Sequence, residues 1–235
     1  MTRRLVLFDI DGTLMLSGGA GRRAILAAMA EVAGLASDLL DRVRFDGKTD
    51  PQIVAELFDA GGQSGAGDPD RVTRILDRYL AHLEADLAVN AALAEVMPGI
   101  RPLLDSLVGD DRIVLGLLTG NVSRGAELKL RAVQLEFARF RVGAFGSDHA
   151  VRSELPPIAV ERAAPIFGRR PSGADVVIIG DTPADVTCGR GVGATAVGVA
   201  TGSYSSAALT EAGAAHVFED LSDTDRVRSV LLDGL

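Results

Sequence analysis

Leu5-Val6-Leu7-Phe8-Asp9-Ile10-Asp11-Gly12-Thr13-Leu14 is the stretch whose reading decides the fold. A short apolar run delivers two carboxylates, spaced i and i+2, into a Gly-Thr turn. Strand alternation puts Asp9 and Asp11 on one side, and Gly12 frees the backbone to turn sharply. Two acids beside an open loop suit Mg²⁺, a hard cation that takes oxygen ligands and keeps several waters. A carboxylate there is also able to attack a phosphoryl group, since Asp forms aspartyl-phosphate intermediates. The same ten residues also fit an ordinary strand end whose acids merely cap a turn.

Further apolar runs follow at residues 113–118, 142–145, 175–179, 195–199 and 215–218. Continuous rather than alternating runs are the mark of buried parallel strands. Helical patterns separate most of them, at 101–108, 123–135, 155–167, 183–190, 205–212 and 225–232. Such alternation predicts an α/β fold with a doubly wound parallel sheet. Between the first two strands the pattern changes. From 16 to 97 the residues read as helices with no convincing strand. Residues 19–32 turn Ile25, Met29 and Val32 inward. Residues 50–60 open on an Asp-Pro pair and close at Gly61-Gly62. Residues 70–88 carry Val72, Ile75, Leu76, Tyr79, Leu80 and Leu83 on one face. A Gly-rich loop at 63–68 joins the last two. The chain therefore reads as a Rossmann-like core of residues 1–15 and 98–235 with an inserted all-helical cap, 16–97. Ligands of open α/β sheets bind beyond the carboxyl ends of the strands. A cap inserted there lies over the two acids and excludes water when it closes. The connections near 16–18 and 90–98 are its candidate hinges.

Three later segments end strands at the same edge. Leu117-Leu118-Thr119-Gly120-Asn121 offers a hydroxyl and backbone N–H groups to an anion, or an N-cap to the next helix, a role Ser123 fills more naturally. Val177-Ile178-Ile179-Gly180-Asp181-Thr182-Pro183-Ala184-Asp185 places Asp181 where it can join Asp9 on a metal. Asp185, one helical turn on, holds a metal-bound water, orients a cation or complements the helix dipole. Arg152 lies between these segments. From its residues alone it reads as a solvated surface arginine. A cation there would also neutralise charge around a transferred phosphoryl group.

The four segments, in this order, resemble the haloacid dehalogenase superfamily of phosphotransferases: DxDGT, an apolar strand ending in Thr, a basic residue, then GDxxxD. The helical insertion is similar to the cap of the phosphoglycolate phosphatase and β-phosphoglucomutase branch. The resemblance implies Asp9 as the nucleophile and Asp11 as the general acid/base. It implies Mg²⁺ held by the Asp9 carboxylate, the Asp11 backbone carbonyl and Asp181. It implies phosphate held by Thr119 and the Gly120 and Asn121 amides. Dehalogenases of this fold lack an acid two residues after the nucleophile, so Asp11 points to phosphate esters. The basic residue is usually Lys, whereas Arg152 stands here. Lys129, mid-helix after Thr119, is set aside as its substitute. In the cap, Gly47 and Lys48 directly precede a helix and are the best candidates for reaching the substrate. Arg22 and Arg23 form a second candidate pair, though solvated helix charge is the simpler account of both. His82 and His216 read as packing or capping residues, His149 has no metal-ligand partner at suitable spacing, and Cys188 reads as a buried helix residue.

Composition narrows the partners. Thirty-two acids against 24 Lys+Arg give a net charge of −8, which argues against nucleic acid. No apolar stretch reaches the ~20 residues needed to span a bilayer. One cysteine permits no internal disulfide and fits a reducing, cytoplasmic setting. The expected activity is a Mg²⁺-dependent phosphatase for a small organic phosphate monoester, phosphoglycolate first, acting as a monomer or homodimer. A phosphomutase of the β-phosphoglucomutase type is the alternative. A phospho-Asp signalling module stands further off, because receiver domains are about half this length and carry no helical cap.

Overall fold

The computed structural model describes residues 3–35, 43–63 and 68–233. Six strands form one parallel sheet: β1 (Arg4–Phe8), β4 (Ile113–Thr119), β5 (Val142–Phe145), β6 (Val176–Gly180), β7 (Thr195–Val199) and β8 (His216–Phe218). Their order is β5-β4-β1-β6-β7-β8. The chain therefore steps to one side of β1 through β4 and β5, then returns to build the other side. The direction of winding reverses at β1, where open sheets of this kind place their ligands.

Both faces of the sheet are covered, so the strand interiors are apolar, polar residues such as Arg4, Thr119, Thr195 and His216 stand at strand ends, and alternation decides only which face a position serves. Val6, Phe8, Leu115, Leu117, Val177 and Ile179 face one layer. That layer holds α4 (Ile100–Leu107), α5 (Ser123–Ala132) and α9 (Thr224–Asp233). Leu5, Leu7, Val114, Leu118, Val176 and Ile178 face the other, with α6 (Leu155–Phe167). The remaining core helices are α7 (Pro183–Cys188) and α8 (Ser206–Ala212). The expected strands and helices are recovered, with ends shifted by a few residues.

The segment between β1 and β4 is mainly helical, as expected: α1 (Ala20–Ala33), α2 (Asp50–Ala60) and α3 (Pro69–Val89). One expectation needs correction. Two short strands, β2 (Met15–Leu16) and β3 (Glu95–Val96), pair antiparallel with Met15 opposite Val96. Two residues are too few to show a period, so no sequence pattern announces them. They tie the two connections of the insertion together at the expected hinge positions. The insertion has its own apolar cluster, in which Ile25, Met29, Ile53, Phe58, Ile75, Tyr79 and Leu83 are buried. Val122 and Leu128 from the start and middle of α5 complete it. Most of the Gly-rich loop expected at 63–68 lies outside the described residues. Among the described residues, no helix is long and apolar enough to cross a membrane.

Candidate active site

Register brings the carboxylates together. Phe8 lies opposite Leu117 on β4 and Ile179 on β6, so all three strands finish at one level. Asp9 follows β1, Thr119 ends β4, and Asp181 comes one residue after β6. The Asp9 N–H donates to Ile179 O at 2.9 Å, extending the ladder to the acid itself. Gly12 then turns the chain at φ +84°, and a Cβ there would meet Asp181 Oδ2 at 2.4 Å. Only glycine satisfies both demands. Thr13 Oγ1 donates to Asp181 Oδ1 at 3.2 Å.

Asp9, Asp181 and Asp185 are all buried, and each offers a carboxylate oxygen within 4.8 Å of the others. Asp185 closes a capping box with Thr182 at the start of α7. Its other oxygen accepts from Arg152 Nη2, so it orients a cation and caps the helix at once. Arg152 also donates to Asp9 Oδ1 at 2.9 Å. The reading of Arg152 as a solvated surface residue is thus corrected: it is 7% exposed. A short 3₁₀ turn before α6 carries it back over the sheet edge.

The electrostatics of this cluster follow from burial and crowding. Burial, then the charge of Asp185, push Asp9 up to about 7, with Arg152 opposing. Burial, then Asp185 and Asp9, push Asp181 up to about 9. Burial works against the charged form of Arg152, but Asp185 and Asp9 outweigh it and raise its pKa. Three crowded acids with one guanidinium leave negative charge in excess. A hard divalent cation is the natural complement to that donor set. Cys188 is buried, its thiol pushed up to about 12 by burial, and it is no nucleophile.

The loop after β4 has a second role. Thr119 Oγ1 accepts from the Asn121 N–H at 3.3 Å and from Asn121 Nδ2 at 2.8 Å, and Asn121 Nδ2 donates to Asp11 at 2.7 Å. Neither Thr119 nor Ser123 caps α5. Instead Asp50, from the insertion, accepts the Val122 N–H at 2.8 Å. The Asp50 N–H donates to Gly120 O at 2.8 Å and Thr49 Oγ1 to Ala150 O at 2.6 Å. A Cβ on Gly120 would meet Lys48 O at 2.0 Å, so the insertion's loop rests directly on this glycine.

Lys129 does not take the place of Arg152, but it is a residue of the site that the sequence reading passes over. It is 4% exposed and donates to Asp11 Oδ1 at 2.8 Å, Asp11 Oδ2 at 2.7 Å and Asn121 Oδ1 at 2.6 Å. Arg152 and Lys129 both enter the site, each on a different acid. The signal for Lys129 was its position: it lies seven residues after Val122 and three after Ala126, on the buried face of α5. Asp50 and Tyr79 were also missed as site residues. Asp50 reads simply as a helix start, and Tyr79 as one of many apolar positions on α3.

A cavity of about 250 Å³ lies between the sheet edge and the insertion. Asp9, Asp11, Asn121 and Arg152 line its floor, and Lys48 and Arg22 line its upper wall. Lys48 reaches it while bonded to Glu56, which Gln52 also holds at 3.0 Å. The Arg22 guanidinium lies 5.0 Å over the Phe45 ring. Arg23 turns away to Asp86 and Gly18 O. His82 pairs with Glu31 and His149 with the Val151 backbone, so neither joins the site.

Comparison with known proteins gives a consistent outcome. A family model described as a hydrolase, haloacid dehalogenase-like hydrolase, matches residues 3–193. A phosphoglycolate phosphatase of Cereibacter sphaeroides is 35% identical over 94 residues, which is 40% of this chain and 41% of that protein. The chain thus matches about two-fifths of the length of this curated relative. A hydrolase from Pseudomonas syringae superposes with a TM-score of 0.69 at 24% identity, over 97% of this chain and 98% of that one. CbbY from Rhodobacter sphaeroides, in complex with phosphate, superposes with a TM-score of 0.71 at 18% identity, over 94% and 96% of the two chains.

Proposed function

Because the chain belongs to the haloacid dehalogenase-like hydrolases, we propose that it is a Mg²⁺-dependent phosphatase of a small organic phosphate monoester. Phosphoglycolate is the first candidate substrate, on the strength of the Cereibacter sphaeroides relative. One observation carries the reading: Asp9 is a buried carboxylate at the floor of a cavity between the sheet edge and the insertion, next to a fixed guanidinium and two further acids.

In this reaction the Asp9 carboxylate attacks phosphorus and the bond to the leaving oxygen breaks. Asp11 protonates that oxygen and then takes a proton from the water that hydrolyses the aspartyl-phosphate. Thr119, with the Gly120 and Asn121 amides, holds phosphoryl oxygens. Arg152 fixes Asp9 in line and supplies positive charge beside the transferred group. Asp9 and Asp181 would hold Mg²⁺, with the Asp11 carbonyl, and Asp185 supports the set. The ion would neutralise charge on the phosphoryl oxygens. Lys48 reads the far end of the substrate from the insertion, residues 16–97, which acts as the cap. The small cavity suits a small leaving group. A single buried cysteine suits the cytoplasm.

The test is phosphate release from a panel of phosphate esters, with Mg²⁺ and with chelator. Mg²⁺-dependent release supports the reading and ranks the substrates. Interconversion of hexose phosphates without release would favour a mutase. A long-lived phosphoprotein without turnover would favour a signalling module.

A further inference from the structure

We propose that Lys129 is a positioning residue that makes the orientation of Asp11 depend on the seating of the helical insertion. The inference rests on the phosphatase reading of Asp9 and Asp11, and concerns how that site is assembled.

The ammonium is buried between two bodies. On the core side it grips both oxygens of Asp11 and the side-chain oxygen of Asn121. On the insertion side it lies against α1. A Cβ on Gly21 would be 3.2 Å from Nζ and 3.9 Å from Tyr79 Oη. Asp50, at the start of α2, is buried, is held by the Tyr79 hydroxyl and the Val122 N–H, and feels the charge of Lys129. One ammonium is therefore balanced by two carboxylates, one from each body. A lysine this deeply buried requires such compensation.

Asp11 itself is far more open. Its side chain is 41% exposed, against 5% for Lys129, and two groups aim its carboxylate: the Lys129 ammonium, and Asn121 Nδ2, whose amide oxygen Lys129 also holds. If the insertion lifts, Lys129 loses Asp50 and the wall formed by Gly21. The group that delivers the proton is then aimed only while the cavity is closed. Proton delivery and water exclusion are thereby tied to one movement.

The experiment compares two esters in a single turnover, reading the first release of alcohol. The P–O bond to p-nitrophenolate breaks without a proton. The same bond in an alkyl ester breaks to an alkoxide that must take one from Asp11. The alkyl ester is the fastest of the panel above. Lys129→Met should slow the alkyl ester about a hundredfold, the scale of general acid catalysis, and p-nitrophenyl phosphate only a few-fold. Gly21→Ala favours the helix and crowds the ammonium. It should show the same preference to a smaller extent, and carries the test if Lys129→Met does not fold. Equal slowing of both esters in these variants, or no slowing of either, would overturn the role of Lys129. Failure of the wild type on every ester would instead overturn the phosphatase reading itself.

Discussion

Two acids of this site are each held by one cation, and the two arrangements differ. Asp9 and Arg152 are closed in: their side chains are 8% and 7% exposed, and Asp185, the second partner of Arg152, is 1% exposed. Asp9 directly follows β1, Asp185 sits in the first turn of α7 just beyond β6, and Arg152 reaches both from the 3₁₀ turn before α6. Asp11 and Lys129 form the looser pair. Lys129 is buried, yet Asp11 opens into the cavity, and the pocket around the ammonium is finished by the insertion. The difference teaches that the nucleophile is fixed by the sheet, which is rigid, while the proton-handling group is fixed across a joint.

The comparison can be broken most severely at its rigid end. Asp9→Asn should reduce turnover more than about a thousandfold while leaving the fold intact, because the amide keeps the shape of the side chain but cannot act as the nucleophile. Steady-state phosphate release and circular dichroism check this together. Asp181→Asn, or chelation of the wild type, should cost several kcal/mol of transition-state stabilisation. Activity in the variant should then recover only at far higher Mg²⁺, which a titration of rate against metal reads out.

Arg152 sharpens the contrast further. Arg152→Met leaves Asp9 and Asp185 buried beside each other without their guanidinium. A broken buried pair of this kind costs about 3–5 kcal/mol. Denaturant unfolding should show that loss, and added Mg²⁺ should restore part of it. Arg152→Lys keeps the charge but cannot bridge two carboxylates in a fixed fork, so its turnover should fall roughly tenfold with a smaller loss of stability.

The smallest effect concerns the joint. Burial raises Asp50 from 3.8 to about 6. Its folded pKa lies above its unfolded one, so its contribution to stability is complete below about pH 4 and lost as pH rises through about 6. Relative to Asp50→Asn, the wild type should therefore lose about 3 kcal/mol across that window. Parallel unfolding curves at several pH values measure the difference, which cancels the titration of all other acids. A flat difference would mean that Asp50 is not buried and that the insertion does not rest on the β4 loop.

What was legible in the sequence divides along the same line. The parallel sheet, its helices and the acids at the strand ends could all be read. Burial on both faces leaves uninterrupted apolar runs, and each acid directly follows such a run. Asp9, Asp11, Thr119 and Asp181 are local features of that kind. Arg152 was harder, because a 3₁₀ turn several residues beyond β5 has no period to show where its side chain goes. The burial of Lys129 in the site was not legible, because a mid-helix lysine is usually solvated. Only its spacing from Val122 and Ala126 marks the buried face. The β2–β3 pair is two residues long on each side and leaves no trace in the pattern. Asp50 and Tyr79 owe their place in the site to the docking of the insertion on α5, a long-range contact that no local window contains.

The most direct test of the central claim is to mix the protein with Mg²⁺ and the best ester of the panel, quench in acid within the first turnover, and weigh the intact chain and its peptides. The account predicts a mass gain of one phosphoryl group, carried by the peptide containing Asp9, sensitive to hydroxylamine and absent from Asp9→Asn. Turnover with no phosphorylated protein, or a phosphoryl group on any other residue, would contradict it.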